Sequence, residues 1–202
     1  MVVIQRWLKW GSLALGLMIL WNVATMRPAT RGLWSLMWGR LVNEGAFGVG
    51  VWDGEFNEFD FSQLEPGDIV LGGNTGSSWG HWTHAAIYIG DGMVMDNFLR
   101  TGVAPRPVTA YNEYYSHASA LRVKLPPEVK AAAVEHAKSL VGNPFHLLAP
   151  RDSDALFYCT KIVWWAYLQE GYDLDPDGAF WVVPDRITQS PLVEPIQPKG
   201  GP

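Results

Sequence analysis

The 202-residue chain is 48% hydrophobic and 17% charged, enough for one packed domain plus an appendage, which excludes a disordered polymer. Its formal net charge of −5 argues against a dedicated nucleic-acid binder, which carries a basic excess. A single cysteine excludes an intramolecular disulfide and leaves the redox compartment open.

The chain begins with Arg6 and Lys9, followed by 17 residues without a formal charge from Trp10 to Met26, and Trp7, Trp10 and Trp21 stand toward the ends of that run. A basic flank, an apolar run and interfacial aromatics predict an N-terminal membrane anchor over residues 1–26, although the run is at the short limit for spanning. A cleaved signal peptide, giving an exported soluble protein, is the alternative, but no small-x-small site precedes Arg27. Arg27, Arg31 and Arg40 lie beyond the run, so basic residues on both sides do not choose an orientation; an extracytoplasmic placement of the following domain is expected. Residues 27–60 read as an amphipathic or linker region, in which Leu33, Trp34, Met37, Trp38 and Leu41 share one helical face, suited either to a membrane surface or to core packing.

Residues 61–202 form the expected folded domain. Phe56, Phe59 and Phe61 suggest short strand pieces, and Pro66-Gly67 a turn into a strand over 69–71. A Gly/Ser/Asn loop follows over 72–80, long enough to border a site. A strand over 85–89, a tight turn at Gly90-Asp91-Gly92 and a returning strand over 93–96 make a hairpin. Residues 101–120 give no clear signal, and 121–125 alternate as a further strand. Pro126-Pro127 stops it, an Ala-rich helix covers 128–141, and Gly142-Asn143-Pro144 ends that helix. The Pro-rich residues 173–202 are expected to wrap the surface.

Cys159 opens an apolar stretch with helical spacing, Cys159-Thr160-Lys161-Ile162-Val163-Trp164-Trp165-Ala166-Tyr167. A thiol at a helix N-terminus sits beside unpaired N–H groups and the positive dipole end, which favour the nucleophilic thiolate. A lone cysteine is otherwise a small buried hydrophobe, so the chemistry requires a base. His84 stands at the mouth of the strand over 85–89. Counting back from the turn places Met95 and Asp96 near Ala85 and His84, which makes His84 and Asp96 expected cross-strand neighbours and a route to an imidazole–carboxylate pair.

Leu64-Glu65-Pro66-Gly67-Asp68-Ile69-Val70, followed by Thr83-His84-Ala85-Ala86-Ile87-Tyr88-Ile89-Gly90-Asp91-Gly92, resembles the histidine block of the NlpC-type papain-like cysteine peptidases. Gly142-Asn143-Pro144-Phe145 and Tyr158-Cys159-Thr160 resemble their cysteine block. The histidine block comes first here, as in the circularly permuted branch, which includes YiiX-like proteins and lecithin:retinol acyltransferase. The resemblance spans roughly residues 64–190. It implies an α+β fold, with an antiparallel sheet packed against the cysteine helix. It also implies Cys159 as nucleophile, His84 as general base and then acid, and Asp96 as the polar third member. The chain departs from the common pattern at Tyr158, Thr160 and Lys161, and at Phe145, which lacks the hydroxyl of the usual tyrosine. The Cys159 N–H is then the surest oxyanion donor, with Tyr158 and His81 as candidates for a second.

The function expected is a thiol hydrolase cleaving an amide through a thioacyl intermediate, with a cell-wall peptide as first choice of substrate. A lipid acyl hydrolase or acyltransferase using the same triad is the alternative, and a membrane-tethered binding module a further one. No cofactor and no metal are expected. His81 and His84 have His-x-x-His spacing but lie in a loop and a strand start, and the calcium-like Asp173-Leu174-Asp175-Pro176-Asp177-Gly178 fails at Pro184, where a bidentate Glu belongs. Deleting residues 1–26 is expected to move the protein from the membrane to the soluble fraction on sedimentation; a full-length protein that is already soluble would overturn the anchor.

Overall fold

The computed structural model describes residues 40–43, 48–176 and 181–196. The anchor expected over 1–26 lies outside the described residues, and among those described no helix is long and apolar enough to cross a membrane. The named elements run β1 (Ile69–Gly73), β2 (His84–Gly90), β3 (Met93–Phe98), β4 (Gly102–Pro107), α1 (Ala110–Tyr114), β5 (His117–Val123), α2 (Pro127–Ser139), α3 (Cys159–Leu168), α4 (Pro184–Ile187) and β6 (Val193–Pro195). The strands form one antiparallel sheet in the order β4-β3-β2-β1-β5-β6, so the fold is α+β with a cysteine-bearing helix against the sheet.

Successive strand side chains point to opposite faces, and both faces are covered. On one, Ile69, Leu71, Ala85 and Ile87 pack with Ala133 of α2 and Ile162, Val163 and Ala166 of α3. On the other, Val70, Ala86 and Val94 pack with Tyr111 and Tyr115. Burial from both sides explains why β1 and β2 read as near-continuous apolar runs rather than as alternating ones.

The hairpin between β2 and β3 forms where expected, but its register differs. Gly90, Asp91 and Gly92 all take positive φ (96°, 52° and 71°), the twist a two-residue hairpin turn needs. Gly90 pairs with Met93 and Ile87 with Met95, with a bulge between Tyr88 and Gly90. Continuing that pairing puts Asp96 across from Ala86, two residues from the predicted position beside His84. A shift of two conserves the face, so His84 and Asp96 remain on one side as diagonal neighbours.

Four elements are absent from the sequence reading: β4, α1, α4 and β6. β4 carries Pro105 and Pro107, which suit it only because it is an edge strand with one side free of a ladder. The single-turn α1 and the three-residue β6 are too short for periodicity to reveal. Among the described residues 48–65, the expected strand pieces are limited to one bridge, Val51 to Thr75. That segment is tied down by side chains instead: Asn57 Nδ2 donates to the carbonyls of Tyr111 and Tyr115, both at 2.8 Å, and Asn112 Nδ2 donates back to the Asn57 carbonyl at 2.8 Å.

Gly72 links fold to site. It pairs with His84 across β1 and β2, and a Cβ there would run into the ring of Tyr115. Replacing Gly72 with Leu overpacks this face, and an expected loss of about 1–3 kcal/mol should appear in urea unfolding. An unchanged midpoint would mean that Tyr115 does not need the space.

Candidate active site

Cys159 is the first residue of α3 and is 8% exposed. Tyr158 before it is extended (φ −125°, ψ 176°), and no side chain caps the helix. The first N–H groups of a helix have no intrahelical partner, so they and the dipole converge on the thiol. Two residues on, Lys161 is fully buried and its ammonium donates to the carbonyls of Pro150, Ser153 and Leu156. Burial pushes that ammonium down to about 8, against the opposing pull of Asp154 and Asp152. It thereby fixes the 150–156 loop against the start of the cysteine helix.

His84 is the first residue of β2, and Asp96 stands on β3. His84 Nε2 donates to Asp96 Oδ1 at 2.6 Å, which leaves Nδ1 as the ring nitrogen for Cys159, which lines the same cavity as His84. The ring packs between Phe98 (centroids 4.6 Å apart) and Tyr115 (5.6 Å). Asp96 is 1% exposed and accepts further hydrogen bonds from the Asn97 N–H at 2.6 Å and the Tyr111 hydroxyl at 3.0 Å, with Arg106 Nε at 3.8 Å. The structure therefore brings Cys159, His84 and Asp96 together, with a hydrogen bond joining His84 to Asp96 and with Cys159 and His84 lining one cavity.

Burial disfavours charge on both His84 and Cys159, and their mutual attraction outweighs it. The Asp96 carboxylate and the Cys159 thiolate raise the imidazole to about 10. For Cys159, the burial penalty is overcome by the His84 charge and by hydrogen bonds from His84 and Thr160, so the thiol is held below its ordinary range. Both shifts run in the direction that favours an imidazolium–thiolate pair.

The thiol opens onto a cavity of about 130 Å³ walled chiefly by Val49, Trp79, Phe145, Leu147, Trp181 and Val183. Trp79 and Trp181 meet edge to face at 5.9 Å. The Tyr158 hydroxyl, a candidate oxyanion donor, also lines this cavity's side of the chain and accepts the Val182 N–H at 2.7 Å, which leaves its own proton available. His81, the other candidate, does not line the cavity; its ring stacks on His117 at 4.2 Å.

Four residues around the line escaped the sequence reading. Phe98 and Tyr111 hold His84 and Asp96, and Arg106 lies over Phe98 at 4.1 Å. Asn97 points to the opposite face from Asp96, and its Nδ2 donates to the carbonyl of Phe157, just before the cysteine helix, at 3.0 Å. Only Asn97 carried a sequence signal, since it follows Asp96 on a strand and must face the other way.

No protein-family model matches the chain, and no curated protein matches it in sequence. In structure it is similar to the metalloprotein YiiX from Escherichia coli O157:H7, with a TM-score of 0.58 over 68% of this chain and 98% of that one, at 16% identity. The fold is thus YiiX-like. The residues here do not fit a resident metal: among those described, no group of three His, Cys, Asp or Glu side chains could hold an ion, and His84 and Asp96 are engaged with each other.

The raised His84 sets a pH window. Stability from its charge is fully present below its ordinary value of 6.5 and is lost as pH rises through about 10. The melting temperature of the wild type should fall across that window more than that of Asp96→Asn, in which the imidazole has lost its counter-charge. Parallel curves for the two proteins would show that the pair is not ionised.

Proposed function

We propose that the chain is a thiol acyl hydrolase or acyltransferase of the circularly permuted NlpC type, with residues 61–202 as its catalytic domain and residues 1–26 as its membrane anchor. The observation that carries the reading is the buried line Asp96–His84–Cys159, which ends at an apolar cavity. The Cys159 thiolate attacks the substrate carbonyl carbon, forming a C–S bond while the carbonyl electrons move to oxygen. The Cys159 N–H at the helix start stabilises that oxyanion. Imidazolium His84 then protonates the leaving group, and a thioester remains on Cys159. Water or another acceptor attacks the thioester as His84 takes its proton, and the thiolate departs. Asp96 keeps the imidazole oriented and compensates its charge throughout.

The cavity walls bear on the substrate. Valine, leucine, tryptophan and phenylalanine side chains suit an aliphatic acyl group better than the charged wall peptide that is first choice from the sequence. A lipid ester or amide is therefore the preferred substrate class, and a membrane anchor would keep the enzyme beside it.

The full chain, incubated separately with phospholipid vesicles and with wall muropeptides, is expected to carry a fatty-acyl mass on Cys159 only after the vesicles. Cys159→Ser should lose turnover while keeping its fold by circular dichroism. A muropeptide adduct would assign the peptide reading. If neither adduct forms and Cys159 alkylates no faster than a free thiol, the chain is a binding module.

A further inference from the structure

The second carboxylate oxygen of Asp96 is as controlled as the first. Oδ1 faces His84, and Oδ2 accepts the hydroxyl of Tyr111 at 3.0 Å. Tyr111 is fully buried, so this hydroxyl has no water to exchange with. It stands on α1, a single turn too short to hold a side chain in place by itself. The turn is clasped from outside instead: Asn57 bonds the carbonyls of Tyr111 and Tyr115, and Asn112 bonds Asn57 in return. This clasp fixes the backbone carrying the hydroxyl that fixes Asp96.

We propose that Tyr111 is a positioning residue for the reaction, acting through Asp96 to hold the His84 ring in line with Cys159. The inference rests on the Cys-His-Asp reading above and adds a fourth member to it. A carboxylate bonded to an imidazole through one oxygen can still rotate about its own axis. A donor on the other oxygen stops that rotation, because both lone-pair directions are then committed. The hydroxyl donates to a charged acceptor, the stronger kind of hydrogen bond. Burial, followed by the Asp96 charge, keeps the Tyr111 proton in place well above the ordinary phenol range, so the group remains a donor wherever the enzyme works.

The charged and titratable groups around Asp96 are His84 from β2, Arg106 from β4, Tyr111 and Tyr115 from α1 and its end, and Cys159 from α3. Arg106 does not substitute for Tyr111: its Nε is 3.8 Å away, beyond hydrogen-bond reach. Tyr115 provides the control. It stacks on His84 as Tyr111 packs on Tyr115, but the Asp96 oxygens are bonded by His84, Asn97 and Tyr111.

The test is the rate of Cys159 alkylation by iodoacetamide as a function of pH in the full chain, for wild type, Tyr111→Phe and Tyr115→Phe, with folding checked by circular dichroism. Both variants lose one oxygen and keep the ring. In Tyr111→Phe the plateau rate should fall about ten-fold, the scale of one hydrogen bond to a charged group. The limb on which the thiolate forms should move to higher pH, and the limb on which the imidazolium is lost to lower pH, as the imidazole loses its alignment with Cys159. Tyr115→Phe should keep the wild-type limbs. A folded Tyr111→Phe with wild-type limbs, or one slowed equally at every pH, overturns the positioning role and leaves the triad standing. If Tyr111→Phe does not fold, Asn57→Ala, which loosens the clasp from outside the core, must narrow the profile in the same direction; wild-type limbs there also overturn it. A wild-type protein whose Cys159 titrates as an ordinary thiol overturns the triad and this inference together.

Discussion

A carboxylate taken out of water is costly unless each of its oxygens finds a donor, and that requirement organises this molecule. Asp96 is 1% exposed, and four groups approach it: an imidazole, a backbone N–H, a phenol and a guanidinium. These come from β2, β3, α1 and β4. Satisfying one buried charge therefore demands that the hairpin, the edge strand and a single helical turn all close on one point. The same arrangement favours charge on the imidazole, and the imidazole in turn draws the thiol below its ordinary value. Stability and chemistry share the same contacts.

The strand β3 serves both halves of the site because consecutive residues face opposite ways. Asp96 turns toward the histidine. Asn97 turns toward the helix-bearing face and holds Phe157, which also accepts the His146 N–H at 2.7 Å. Behind the cysteine, Lys161 works from the other direction, gathering three carbonyls of the loop that leads into α3. The thiol is thus positioned from the sheet and from its own helix, and little is left to the exposed loops.

The C-terminal segment closes the cavity through a second buried carboxylate. Asp175, also 1% exposed, is bonded by Arg151 at 3.0 Å and Arg186 at 2.7 Å. Arg151 also reaches Asp173 and lies over Trp164 of the cysteine helix. The acidic turn that looked like a fragment of a calcium loop is neutralised by arginine. Its placement brings Trp181, Val182 and Val183 to the wall facing the thiol. An apolar wall beside an ion pair keeps water scarce there, which strengthens the electrostatic interactions of the pair.

How much of this was legible beforehand depends on range along the chain. Local chemistry determined the cysteine at a helix start, the Gly-Asp-Gly hairpin, and His84 and Asp96 on one face of it. The predicted register was two residues out, but an even shift preserves the face. β4 was hidden by prolines that only an edge position tolerates, and nothing within 110–114 announces that Tyr111 will meet a carboxylate 15 residues earlier. Lys161 looked like a departure from a family pattern and proved to be the clamp on the loop before Cys159. The sequence alone thus determined which groups could react. Tertiary structure decided which groups hold them still, because buried charge is satisfied by partners from distant strands and loops, and no local period records those.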